Sequence, residues 1–159
     1  MGLFNKKETN YPGFNMTKRV GAFIEFDDDQ KKWLIPDKKN DPQIYLYSDI
    51  IDCDLLEDEE SLTSGGLGRA IAGGVLFGGV GAVVGGITGK RKTKNLVKSM
   101  KVKITLNNLN TPIVYITLIN TPIKTDSIVY KTLDISAQEI LSIMAIIIQQ
   151  NQEQATPKE

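Results

Sequence analysis

The 159-residue chain contains no histidine and a single cysteine, Cys53. Those two shortages remove disulfides, most zinc sites, the Ser–His and Cys–His pairs of most hydrolases, and the commonest general base. Net charge is missing as well: 19 Lys and Arg balance 19 Asp and Glu, so no global field draws the chain to nucleic acid. The opening residues Met1-Gly2-Leu3-Phe4-Asn5-Lys6-Lys7 hold no apolar run of signal-peptide length, which makes a cytoplasmic location the expectation. Lys6 stands where a myristoylation signal needs Ser or Thr, so that reading is set aside. With no constellation of catalytic groups in view, the expectation is a protein that is not an enzyme, with no cofactor, metal or small-molecule substrate.

What is present reads as one domain of short strands followed by a helix. Residues 1–17 mix Asn, Pro, Gly and charges without a period and read as a loosely ordered arm. From Lys18 to Phe26 apolar residues alternate at Val20, Ala22, Ile24 and Phe26, a half-buried strand, and Asp27-Asp28-Asp29-Gln30 turns the chain. That acidic turn lacks the glycine and distal glutamate of a calcium loop. Further strands are expected at Lys32–Ile35, Ile44–Tyr47, Ile50–Leu56, Ser99–Leu106 and Pro112–Ile119. Ser136-Ala137-Gln138-Glu139 has the pattern of a capping box, with Ile135 and Ile140 placed for a hydrophobic staple. Ile140, Ile143, Met144, Ile147 and Ile148 then share one helical face, and residues 151–159 are expected to form a disordered tail.

The domain, residues 18–150, is interrupted at 62–94 by an unusual tract. Between Arg69 and Lys90 no residue is charged, and Val, Leu, Ile and Phe alternate with small residues. Gly66, Ala70, Gly74, Gly78, Ala82 and Gly86 recur every fourth position, and Gly81, Gly85 and Gly89 form a second row. A helix with that spacing carries smooth ridges for close helix approach. Glycine costs about 1 kcal/mol per residue against alanine in an exposed helix, so the tract needs a partner: its own other half, a second subunit or lipid.

Pairing the flanking strands antiparallel places Ile51 opposite Ile104, Cys53 opposite Val102 and Leu55 opposite Met100 on the inner face. The same register sets Asp52 against Lys103 and Asp54 against Lys101 outside. Both ends of the tract then lie on one side of any membrane, and a hairpin turning at Gly78-Gly79 follows. Arms of about ten residues reach roughly 15 Å, half of a bilayer core. The basic cluster Lys90, Arg91, Lys92 and Lys94 falls at the base, where anionic lipid would reward it. Membrane contact, self-association and local packing all remain open to such a hairpin.

Other features carry less. Gly86-Ile87-Thr88-Gly89-Lys90-Arg91 lacks the spacing and the Ser or Thr of a phosphate loop. Cys53 alternates with Asp52 and Asp54 and reads as an inward-facing small hydrophobe rather than a reactive thiol. Trp33, Tyr45 and Tyr47, without interleaved basic residues, read as core or interface and not as a nucleic-acid platform.

The block Tyr47-Ser48-Asp49-Ile50-Ile51-Asp52, with Leu55-Leu56, Ser64-Gly65-Gly66-Leu67-Gly68-Arg69-Ala70 and the zipper through Gly89-Lys90-Arg91-Lys92, resembles a group of bacterial and prophage proteins of unknown function. The resemblance runs from about Arg19 to Gln150. It implies a mainly β (α+β) pleckstrin-homology-like (PH-like) domain: a bent sheet or barrel of short antiparallel strands closed by one C-terminal helix, with a glycine-zipper helical-hairpin insertion. Relatives sometimes carry an N-terminal zinc ribbon or a short C-terminal SHOCT module, neither of which is seen in this sequence. The zipper is also similar to those of bacterial envelope families, which usually follow a lipoprotein signal. Such domains serve as binding and assembly platforms. The expected partners are therefore further copies in a homo-oligomer, an anionic surface at the inner face of the cytoplasmic membrane, or a protein partner in phage–host conflict.

Overall fold

The computed structural model describes residues 11–63, 66–68 and 94–155. Ten short strands and one long helix make up its regular structure. Four strands, β1 (Lys18–Val20), β2 (Ile24–Asp27), β3 (Lys32–Leu34) and β4 (Ile44–Leu46), pair in that order into a first antiparallel sheet. A 3-10 turn at Tyr47–Asp49 swings the chain into β5 (Ile50–Glu57), the longest strand. It joins β6 (Glu60–Ser61), β8 (Met100–Leu106) and β9 (Ile113–Ile119) in a second sheet of order β6-β5-β8-β9. A small ladder pairs β7 (Leu96–Val97) with β10 (Ile123–Lys124). The last element, α1, runs from Ile128 to Ala155. Among the described residues the sheets do not close into a barrel, and two antiparallel sheets with one C-terminal helix fit the PH-like α+β class.

Period-two patterning puts the core where it is. On the second sheet Cys53 and Leu55 of β5, Val102 and Ile104 of β8 and Ile116 of β9 are buried on one face. The helix lays Ile140, Leu141, Met144, Ile147 and Ile148 over them, the stripe expected from its spacing, while Ile143 is half-buried beside it. Each such side chain contributes roughly 1.5–3 kcal/mol relative to exposure. The first sheet adds Val20, Ile24, Phe26 and Trp33 to the same cluster.

Four expectations need correction. The strand predicted over Lys18–Phe26 is two strands, because Gly21, at φ +53°, folds the chain back on itself and the Phe23 N–H bonds to the Val20 carbonyl at 3.1 Å. The alternation through Ala22 therefore continues across a turn.

The β5–β8 pair exists, but its register differs by two residues. Cys53 faces Ile104, Leu55 faces Val102, and Asp54 faces Lys103, with a bulge between Ile50 and Asp52 that leaves Ile51 half-exposed. A two-residue slip keeps every side chain on its face, so hydrophobic pattern alone does not distinguish the two registers. The turn after β5, Asp58-Glu59 with φ +51° and +66°, holds the observed register, because the Asp58 N–H donates to the Ser99 carbonyl at 3.0 Å just before β8. Two successive positive φ values suit a tight hairpin turn.

The helix starts eight residues before the predicted cap. The Ser127 hydroxyl accepts from the Tyr130 N–H at 3.1 Å and so acts as N-cap. Ser136 lies inside the helix with its hydroxyl donating to the Thr132 carbonyl at 3.3 Å, and Ile135 is exposed rather than stapled. At the other end α1 continues through 151–155, where Asn151 donates to the carbonyls of Tyr47 (2.8 Å) and Ile50 (3.0 Å). Those two bonds tie the helix to the corner between the sheets and extend it past its apolar stripe.

Candidate functional site: the roots of the glycine-rich insertion

Residues 69–93, and with them Ala70, Gly74, Gly78, Gly81, Ala82, Gly85, Gly86, Gly89, Lys90, Arg91 and Lys92, lie outside the described residues. What the structure does show is how the fold grips the segments that lead into and out of them, including Gly66 and Lys94.

The upstream root is assembled on the outer face of β5. After β6 the chain runs back along β5, and the Leu62 N–H bonds to the Leu55 carbonyl at 2.8 Å. The Asp54 carboxylate accepts from the Ser61 hydroxyl at 2.7 Å and from the Thr63 hydroxyl. The Asp52 carboxylate accepts from the N–H of Gly68 at 2.8 Å and of Cys53 at 2.7 Å. Gln152, near the end of α1, donates to the Gly68 carbonyl at 3.2 Å, so Gly68 is held from both sides. Leu67, between the two glycines, is fully buried in the main core. Gly66 stands at φ +129°, and a Cβ there would fall 2.0 Å from Asp52 Oδ2. Whatever its place in the four-residue row, this position needs glycine for a local reason.

The downstream root depends on charge. Asp58, at the turn after β5, accepts from the backbone N–H groups of Lys98 (2.8 Å) and Ser99 (3.1 Å) and pairs with the Lys94 ammonium at 3.3 Å. Partial burial works to raise the Asp58 pKa, but those two N–H donors and Lys94 outweigh it and hold the carboxyl below the ordinary aspartate value. Glu59 pairs with Lys101 at 3.1 Å. Thr125 closes the root by donating its hydroxyl to the Lys94 carbonyl at 2.6 Å. Beneath it, Tyr130 of α1 donates to the buried Glu57 carboxylate at 3.0 Å. Acidic residues at the end of β5 thus meet Lys94 and Lys101 across this root, while Asp52 and Asp54 accept hydrogen bonds in the upstream one.

Asp52 lies near the start of β5 and Asp58 in the turn that follows its end, so β5 and its turn together carry both roots.

Cys53 is fully buried, and burial, then the neighbouring Asp52 and Asp54, push its thiol well above the ordinary range, which makes it a poor nucleophile. The aromatic residues divide into two pairs: Trp33 stacks on Tyr45 at 4.5 Å, while Tyr47 meets the edge of Phe26 at 6.3 Å. Among the described residues no group of three or more acidic or cysteine side chains is placed to hold a metal. By length and composition α1 is one helix that could cross a bilayer, yet its apolar stripe is packed against the sheets.

A PH-like sheet-and-helix body that grips both ends of a glycine-rich insertion defines the class, and this chain belongs to the family of glycine zipper containing PH domains, matching it over residues 11–120. It is 32% identical over 109 residues to a protein named immunity protein of Bacillus phage SPbeta, covering 68% of this chain and 54% of that one. It is equally similar over 109 residues to the SPbeta prophage-derived uncharacterized membrane protein YomJ of Bacillus subtilis (strain 168), with 68% and 48% covered. The chain thus spans about half the length of these relatives. No solved structure matches it.

Proposed function

We propose that this domain is a non-catalytic binding module that contacts the inner face of the cytoplasmic membrane, or a second copy of itself, through its glycine-zipper hairpin. The observation that carries the reading is the commitment of β5 to both roots of a tract without a charge between Arg69 and Lys90. A floppy loop needs no such grip. The name of the B. subtilis relative, a membrane protein, supports the lipid arm of the reading.

The test is flotation with anionic liposomes and sedimentation of the full chain beside a variant with Gly74, Gly78, Gly81 and Gly85 replaced by leucine. The intact protein is expected to float or to sediment as an oligomer, and the variant to do neither. Unchanged behaviour of the variant would sink the proposal. A deletion control should excise only residues 70–92, because Leu67 belongs to the core and Lys94 to the downstream root.

A second reading is a soluble adaptor or inhibitor that binds a protein partner in phage–host conflict. The phage relative's name, immunity protein, favours it, as does the uncharged edge strand β9, which presents Ile113 and Tyr115 outward. An adaptor working through β9 should keep its partner after excision of 70–92, whereas the hairpin reading requires loss.

A further inference from the structure

The downstream root is flanked by side chains that the fold leaves uncovered. Leu96 of β7 is 44% exposed, and at the start of α1 Ile128 is 82% and Val129 57% exposed. These lie together, because Leu96 pairs with Lys124 across the β7–β10 ladder and Ser127, the cap of α1, donates its hydroxyl to the Lys124 carbonyl at 2.6 Å. The patch continues along the helix. Ile135, 66% exposed, lies seven residues from Ile128 and so on the same face, about 10 Å further on.

Two exposed lysines border these aliphatic residues. Lys124 and Lys131 have no ion-pair partner among the described residues; the acids closest in sequence are the exposed Asp126 for Lys124 and, for Lys131, the half-buried Asp134, which accepts from the Gln138 amide at 2.9 Å. Protein–protein interface cores are depleted in lysine. Exposed aliphatic side chains bordered by lysines instead suit the boundary of an anionic bilayer, which takes the aliphatic groups among its acyl chains and the ammonium groups among its headgroups. Position supports the same occupant: Lys94, which bonds into this corner through Thr125, lies four residues beyond Lys90, where the uncharged tract ends.

From this we infer that the corner formed by β7, β10 and the first two turns of α1 is the face of the folded domain that rests on an anionic lipid surface. The inference deepens the membrane arm of the proposed function and rests on it. It adds a contact site outside the zipper, one that would orient the domain with the downstream root towards the lipid.

The full chain is mixed with vesicles of phosphatidylcholine alone and of phosphatidylcholine with one third phosphatidylglycerol, and partitioning is measured by flotation. Two variants accompany it, Lys124→Gln with Lys131→Gln and Ile128→Ser with Ile135→Ser, all at exposed positions, with circular dichroism and melting temperature confirming the fold. Removing two lysines should weaken partitioning to the anionic vesicles about 30-fold and leave neutral vesicles unaffected. The serine pair should weaken both. Wild-type partitioning by both variants, while the quadruple-leucine zipper variant fails to float, overturns the inference and leaves the hairpin reading standing. Loss in the patch variants with the zipper variant unaffected does the reverse. If the wild-type chain floats with neither vesicle, the inference and the membrane arm of the proposed function both fall.

Discussion

The two roots of the insertion are built on different physics. The upstream root, Gly66 to Gly68, is fixed by packing and backbone bonds: Leu67 fills the core, and the Asp52 carboxylate accepts two N–H groups, with no cation paired to it among the described residues. The downstream root, Lys94 to Ser99, also sends one side chain, Val97, fully into the core, but its backbone is held in addition by an aspartate meeting a lysine and two amides, with a second ion pair beside it. Packing ignores salt and mild acid, whereas charge pairs respond to both. Val97, like Leu67, is therefore set by folding itself, while the hold on Lys94 and Lys98 carries an added part that salt and acid weaken.

The strongest way to break that contrast is to empty the upstream root. Leu67→Ala removes a fully buried side chain and should cost about 3 kcal/mol, read as a lower denaturation midpoint with no dependence on salt. Gly66→Ala should come next, at about 2 kcal/mol, since its Cβ must displace a carboxylate held by two N–H groups and adopt an unfavourable φ. A Gly66→Ala protein as stable as wild type would mean that Asp52 moves aside freely and that the upstream root is not rigid.

How much of this was legible in the sequence follows from the kind of interaction involved. The strands β3, β5, β8 and β9, most of the apolar stripe of α1 and the inward Cys53 follow from local periodicity, whereas the turn at Gly21 and the two-residue strands β6, β7 and β10 do not. The β5–β8 register was not readable either, because two-residue slips preserve both faces and the bulge at Ile51 has no sequence mark. Ser127 escaped notice as the cap because no Glu or Gln follows three residues later, while Ser136 carried that pattern without its geometry. The roots themselves are hidden in sequence: Asp52, Asp54 and Asp58 look like one acidic run, and only the reversal at Asp58-Glu59 assigns them to separate ends. Gly66, grouped in sequence with the zipper, has no room for a Cβ because of the Asp52 carboxylate.

For the downstream root, Asp58→Asn keeps a residue tolerant of the positive φ and removes the charge. It should cost about 1 kcal/mol at pH 7 and low salt, and less at high salt. The pH dependence has a fixed sign. Because the folded carboxyl titrates below its ordinary value, its stabilisation is complete above the unfolded value of about 4 and is lost as pH falls through the lower folded value. The melting temperatures of wild type and Asp58→Asn should therefore differ at pH 7 and converge in acid below that range. A constant gap across the titration would show that Asp58 acts through shape and not charge.

The smallest effect sharpens the comparison from within the downstream root. Lys101→Ala breaks a pair whose Glu59 partner is 68% exposed, so water and salt already screen it and the stability change should stay within about 0.5 kcal/mol. Asp58 differs from Glu59 in accepting two backbone N–H groups as well as an ammonium, which fixes its geometry. If Lys101→Ala proved as costly as Asp58→Asn, the root would behave as one diffuse charge cluster. A negligible cost places the electrostatic part of its hold on the single carboxylate of Asp58, leaving Val97 and the Thr125 bond to Lys94 as the rest.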